Sequence, residues 1–189
     1  MDFMYNNSIQ IEASRFTKGV CSMRRKDREV TDFKTVKAII DSCEIIRIGL
    51  SDPDDPQYPY IVPLNFGYTA DTQDEIHFFI HGAKAGRKFQ LMQTVGCCSF
   101  QMECDTVVEL VPQSRDVTTR YKCLMGKAEI TLLDGDDAIR ALDLIMSRRE
   151  DTGSFNWNRA AASHTAVWDL KVTEWTAKVN RSPNESPAL

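Results

Sequence analysis

The densest chemistry in this chain lies between His81 and Lys88. The run His81-Gly82-Ala83-Lys84-Ala85-Gly86-Arg87-Lys88 carries one imidazole, two glycines and three cations. A strand-like apolar run precedes it, and Leu91 and Met92 carry it on into a short helix. Backbone amides at a helix start have no partner inside the helix, and mobile cations beside them suit a phosphate. The spacing is neither that of a P-loop nor that of a dinucleotide fingerprint. The competing reading is a solvated basic turn. His81, at a strand end, reads either as a hydrogen-bonded structural residue or as an acid–base group.

A second segment, Pro59-Tyr60-Ile61-Val62-Pro63-Leu64-Asn65-Phe66-Gly67-Tyr68, places a proline inside a strand pattern. Proline has no amide donor, so neighbouring backbone groups are released from the ladder. They are free to face the edge of a planar heterocycle, or the strand is simply a kinked edge. Arg47 sits within the apolar run Glu44–Leu50, where a cation needs a partner. Either a ligand phosphate or an internal carboxylate satisfies it.

Other chemistries are disfavoured. The three histidines, His77, His81 and His164, include no pair at helical metal-ligand spacing and no His-Glu-x-x-His, so no metal site is expected. No nucleophile elbow supports acyl transfer. The six cysteines are irregularly spaced, as in a cytoplasmic protein with reduced, mostly buried thiols. Cys97 and Cys98 read as small strand residues, with a redox pair as the alternative.

The elements that must position these groups follow from periodicity. Thr31-Asp32 caps a helix near 32–43, with Phe33, Val36, Ile39, Ile40 and Cys43 on one stripe. Strands are expected over Glu44–Leu50, over Tyr58–Tyr68 with an interruption at Pro63, and over Glu75–Ile80 after a turn at Thr69–Asp74. A short helix around Leu91 precedes strands at Val95–Glu103, Val107–Val111 and Arg120–Leu132. Asp134 opens an amphipathic helix carrying Ala138, Ile139, Leu142, Ile145 and Met146. A polar loop over 151–163, with Phe155 and Trp157 as packing residues, leads to a last strand, Thr165–Val179. Strands outnumber helices and do not alternate with them. The expected fold class is therefore mainly β, an antiparallel barrel with peripheral helices.

Composition sets the outer bounds. The chain has 189 residues, 23 Lys+Arg against 27 Asp+Glu, and a net charge of −4. It is long enough to bury a core without staples, as one domain with appendages. The expected division is an extension over 1–22, a domain over 23–181 and a disordered tail over 182–189. The acidic balance disfavours nucleic-acid and anionic-membrane partners. No apolar run is long enough to span a bilayer, and residues 1–22 lack a secretory pattern.

Three stretches together resemble the nitroimidazole-resistance branch of the pyridoxamine 5′-phosphate oxidase-like FMN-binding split barrels. They are Met23-Arg-Arg-Lys-Asp-Arg-Glu-Val-Thr-Asp32, Pro59–Tyr68, and Phe79-Ile-His-Gly-Ala83 with Gly86-Arg-Lys88. Tyr121-Lys-Cys-Leu-Met-Gly-Lys-Ala-Glu129 is similar to a fourth family strand, with Cys123 in place of a serine and Ala128 in place of a glycine. The resemblance implies a six-stranded split barrel that forms a homodimer with FMN at the interface. It implies that the backbone of Val62, Pro63, Leu64 and Asn65 runs along the isoalloxazine ring, and that His81, Gly82 and Ala83 flank it. Lys84, Arg87 and Lys88 become the phosphate ligands, with Arg47 a further one. His81 matches a histidine proposed as functional in that branch, which makes it the catalytic expectation. The implied activity is FMN-dependent reduction of a small aromatic acceptor. The alternative is a non-catalytic flavin- or haem-binding module, with His81 or His77 as the haem ligand. Residues 175–189 lack the basic Arg-x-His segment of pyridoxamine 5′-phosphate oxidase proper, which disfavours that enzyme's own reaction.

Overall fold

The computed structural model describes residues 23–111, 114–148 and 158–182. The extension 1–22, tail residues 183–189, and Phe155 and Trp157 of the polar loop lie outside the described residues. Eight strands form one antiparallel sheet. They are β1 (Glu29–Val30), β2 (Ile46–Leu50), β3 (Tyr60–Leu64), β4 (Gly67–Thr72), β5 (Glu75–Ala83), β6 (Cys97–Val111), β7 (Asp116–Leu133) and β8 (Thr165–Asn180). Their order is β3-β2-β6-β7-β8-β5-β4, with β1 paired to β8. The two end strands of this path, β3 and β4, are consecutive in the chain and separated by only Asn65 and Phe66. The sheet therefore curls until its ends meet, and its seam is a split rather than a ladder. That is the expected split barrel, with eight strands where six were implied.

Strands β2 and β5 are made by alternation. In β2, Ile46, Ile48 and Leu50 point inward and are fully buried, while Arg47 points out. In β5, Ile76, Phe78 and Ile80 fill the barrel, while His77, Phe79 and His81 face outward. Phe66, Phe78 and Phe100 meet edge to face at the centre, with centroids 5.6 and 5.2 Å apart. Such pairs each add roughly 0.5–1.5 kcal/mol beyond their buried area.

Two expected boundaries moved. The Tyr58–Tyr68 run breaks at Asn65–Phe66 and not at Pro63, which sits inside β3 opposite Arg47. Because β3 ends the path, Pro63's missing donor costs no ladder bond on its free side. The runs Val95–Glu103 and Val107–Val111 are one strand, β6, with a register shift between Cys104 and Val107 where Asp105 takes a positive φ. Beyond that bulge β6 and β7 continue as a two-stranded ribbon, because β8 pairs β7 only from Tyr121 onward.

Among the described residues, three α-helices lie against the barrel. Helix α1 (Phe33–Ser42) is capped by Asp32, whose carboxylate accepts from the Thr35 amide at 2.9 Å. Its stripe of Val36, Ile39 and Ile40 joins the barrel core. Helix α2 (Arg87–Val95) is short, and its start and end fall at Gly86 and Gly96, whose φ values of 89° and 67° suit glycine. Helix α3 (Gly135–Ser147) lays Ala138, Ala141, Leu142 and Ile145 on Val167, Phe79 and Leu133. Arg148, just past α3, donates to the carbonyls of Ile40 and Cys43 at 3.0 and 2.7 Å. Its guanidinium lies 4.3 Å from the Phe66 ring centroid. One side chain thus ties the end of α1 to the seam of the barrel.

Candidate functional site

The site grows from the free end of β5. Strand β4 pairs β5 only as far as Gly67 opposite Phe79. Beyond that point His81, Gly82 and Ala83 pair with β8 alone, opposite Val167, Ala166 and Thr165. Their other backbone edge is unpaired by any described strand. Across the two-residue joint, β3 pairs only β2, so its far edge is unpaired too. The topology thus gathers two free backbone edges, Val62–Leu64 and His81–Ala83, on either side of the split. In β3 the side chains of Tyr60, Val62 and Leu64 pack on the core, while Ile61, Pro63 and Asn65 are exposed.

Helix α2 starts immediately after this edge. Its first turn has no side-chain cap and no acidic residue, so its first amides stay available to an anion. Phe89 anchors the helix by an edge-to-face contact with Trp168 at 5.8 Å, and Leu91 and Met92 are buried beneath it. Lys88 folds back over Gly82, and its ammonium donates to the His81 carbonyl at 3.5 Å. A Cβ at Gly82 would occupy that ammonium's seat. Among the described residues no carboxylate pairs with Lys88. Burial pushes its pKa down, as expected of a half-buried cation without a counter-ion. Partial desolvation, and secondarily the Lys88 charge, pull the His81 pKa below its ordinary 6.5. His81 is therefore neutral at pH 7, with one ring nitrogen donating and the other accepting.

The other expected ligands are placed differently. Lys84 donates to the Ser163 carbonyl at 2.6 Å, which pins the 3₁₀ turn before β8. Arg87 is held by two carboxylates of the β2–β3 loop. Its Nε donates to Asp52 at 2.9 Å, and one terminal nitrogen, Nη2, donates both to Asp52 and, at 2.9 Å, to Asp54. Arg47 found the carboxylate alternative, pairing with Glu103 at 3.1 Å on the outer face of the sheet. The contacts with Asp52 and Asp54 are not legible in the sequence, because they close over 35 and 33 residues. The only signal is charge, with aspartates at 52, 54 and 55 and the cations Lys84, Arg87 and Lys88.

A cavity of about 770 Å³ also opens on the outer face of β3-β2-β6-β7-β8. Ile61, Met125 and Trp175 give it apolar walls, and Arg47, Lys127 and Glu174 ring it with charge. The β7–β8 register shifts between Lys127 and Ala128, leaving Thr173 of β8 as an extra residue next to the lining residues Glu174 and Trp175. Of the expected site residues, only Arg47 lines this cavity. His77, the other outward histidine of β5, is bonded to Asp169 at 2.9 Å. Among the described residues no cluster of three or more metal-ligating side chains occurs.

A curled antiparallel sheet with an open seam, a basic helix start beside it and helices only at the periphery defines the split-barrel class. The family model described as pyridoxamine 5′-phosphate oxidase matches residues 32–179. The chain belongs to that family. No curated protein matches it. Among solved structures it is similar to a candidate 5-nitroimidazole antibiotic resistance protein of Bacteroides thetaiotaomicron, at 23% identity and TM-score 0.68, covering 80% of this chain and 86% of that one. It is similar to an FAD- and haem-binding protein of Mycobacterium smegmatis, at 17% identity and TM-score 0.66, covering 84% and 77%. A flavocytochrome of Azotobacter vinelandii gives 18% identity and TM-score 0.64, covering 87% and 75%. These likenesses show the fold.

Proposed function

We propose that this chain is an FMN-dependent oxidoreductase of the nitroimidazole-reductase type, acting on a small aromatic acceptor. The observation that carries the reading is Lys88. It is a half-buried ammonium with no carboxylate partner among the described residues, seated at an uncapped helix start beside two free backbone edges. A phosphate supplies the missing counter-charge, and a flat ring fits along unpaired backbone. FMN, when bound, supplies the electron transfer. The residues of this chain then have separable tasks. Lys88 and the α2 amides hold the phosphate, with Arg87 and Lys84 adjacent. The edges of Val62–Asn65 and His81–Ala83 fix the ring plane. Neutral His81 positions the acceptor by donating a hydrogen bond from its ring N–H, and delivers a proton to the reduced acceptor only after its other nitrogen has taken one from solvent.

We place the cofactor between two copies of the chain. The outer-face cavity and the exposed apolar residues Ile61, Val108 and Leu110, 65–73% accessible, support a partner surface there. Five described cysteines are free, as suits a reducing cytoplasm, and no described helix is long and apolar enough to cross a membrane.

The test is direct. Purified protein is titrated with micromolar FMN, and the visible spectrum is followed before and after a nicotinamide donor and a nitroaromatic are added. Bound flavin that cycles supports the proposal, and absence of binding sinks it. His81→Ala with unchanged turnover removes only the catalytic role. A second reading, a binding module without turnover, is favoured by the names of two structural neighbours, a flavocytochrome and an FAD- and haem-binding protein. Here His81 is the exposed candidate ligand, since His77 is already bonded to Asp169. A haem band on haemin titration, lost in His81→Ala, would support it.

A further inference from the structure

Arg87 does not stand free for a phosphate. The Nε and Nη2 edge of its guanidinium is taken by Asp52, and the same Nη2 also donates to Asp54. Asp52 is the inner partner, with its side chain 11% accessible, whereas Asp54 is 81% accessible. Asp52 also orders its own loop. Its Oδ1 accepts from the Asp54 amide at 3.0 Å, and its carbonyl accepts from the Asp55 amide at 3.1 Å. That loop joins β2 to β3, and β3 carries one of the two free backbone edges. A single arginine therefore connects the start of α2 to the loop that leads into the ring-facing strand. A phosphate arriving at α2 meets a cation already neutralised twice over, beside two negative charges. Lys88, a few atoms away, carries no such opposition.

We infer that Asp52 and Asp54 are competing ligands of Arg87, a carboxylate clamp that limits how tightly the phosphate of the cofactor is held. The inference rests on the flavin reading given above and assigns the charge selectivity of that same site. Phosphate binding at α2 draws Arg87 from the two carboxylates or shares it with them. In either case part of the attraction is spent on displacing Asp52. Lys88 then carries most of the phosphate affinity, and Arg87 contributes only what the clamp leaves. Protonation of the clamp does not relieve it near neutrality, because the Arg87 hydrogen bond holds the Asp52 carboxyl below its usual range.

The experiment compares two flavins that differ only in the phosphate. FMN and riboflavin are titrated by fluorescence quenching into the parent protein, Asp52→Asn, Asp52→Asn/Asp54→Asn, Arg87→Gln and the triple variant. Asparagine keeps the loop's side-chain acceptor and removes the charge, so the loop retains its turn. The clamp predicts that the double variant binds FMN about three- to tenfold more tightly, with riboflavin unchanged. It also predicts that this gain vanishes when Arg87 is glutamine. FMN affinity that falls or stays level in the aspartate variants overturns the clamp and leaves Asp52 as a support for Arg87. Equal changes for both flavins overturn it too, since the effect then lies in the loop and not in the phosphate. If neither flavin binds any of the proteins, the flavin reading itself falls and the clamp with it.

Discussion

Replacing Gly82 by alanine separates the seat of Lys88 from the stability of the fold. A Cβ at Gly82 would press on the Lys88 ammonium and lie 2.9 Å from its Cε. Carbon atoms rest at about 3.5–4.0 Å, so the tip of the lysine must retreat by about 0.5–1 Å. It is the end of a four-carbon stem, and nothing in the backbone has to move. Gly→Ala also lowers the entropy of the unfolded chain, which offsets part of any cost. The expected stability change is below about 1 kcal/mol, which for a chain of this size shifts Tm by no more than roughly 2–4 °C. Gly126→Ala is the contrast. Its Cβ would meet the Glu174 carbonyl and, at 2.6 Å, two carbons of the buried Phe100 ring. Backbone and core cannot yield cheaply, and about 2–3 kcal/mol should be lost. The site readout is the imidazole titration of His81 by NMR. Its pKa lies below 6.5 through desolvation and, second, the Lys88 charge. Lys88→Met should move it up, and Gly82→Ala should move it in the same direction by less. A parent His81 titrating at or above 6.5, or one unmoved in Lys88→Met, refutes this account of the seat. So does a Gly82→Ala protein as unstable as Gly126→Ala.

Further expectations follow from the same geometry. Because the fold favours neutral His81, the folded state binds fewer protons than the unfolded one just below pH 6.5. The His81 contribution is complete above 6.5 and is lost as pH falls through its lower folded pKa, so denaturation midpoints from pH 7 to 5 should fall less in Lys88→Met than in the parent. Arg148→Ala removes three charged bonds to carbonyls and contacts with the Phe66 and Tyr68 rings, and chemical denaturation should register about 2–4 kcal/mol, with lysine a poor rescue. Gly67→Ala drives a Cβ to 2.6 Å from the α3 backbone at Leu144 and Ile145, and should loosen α3 first, read as raised amide exchange in 135–147. Among thiols, Cys97 is exposed whereas burial pushes Cys98 up to about 12. At pH 8 Cys97→Ser should lower the fast-reacting thiol count by one, and Cys98→Ser should leave it unchanged.

Much of this arrangement was legible in the chain, for identifiable reasons. The α1 stripe and its Asp32 cap, and the inward Ile76, Phe78 and Ile80 of β5, are written in local periodicity, which sequence shows directly. The break between β3 and β4 was not. Pro63 is the visible interrupter, yet the chain turns at Phe66, which is buried against Phe78, and at Gly67, where α3 approaches too closely for a side chain. Both causes lie far away in sequence. The β6 strand was divided in two because Asp105 disrupts the alternation, although a bulge lets pairing resume. At the site, the glycine-rich basic run gives the start of α2 and its cluster of cations. It did not reveal which cation is already spoken for. Arg87 meets Asp52 and Asp54 across 35 and 33 residues, and only the fold brings those charges together.

The central claim is that Lys88 holds a flavin phosphate beside His81. The most direct measurement is the ratio of FMN to riboflavin affinity in the parent and in Lys88→Gln. The account predicts that FMN binds the parent more tightly than riboflavin does, and that the substitution collapses the difference while riboflavin affinity stays level. Equal affinity for the two flavins in the parent, or a preference for FMN that survives Lys88→Gln, would contradict it.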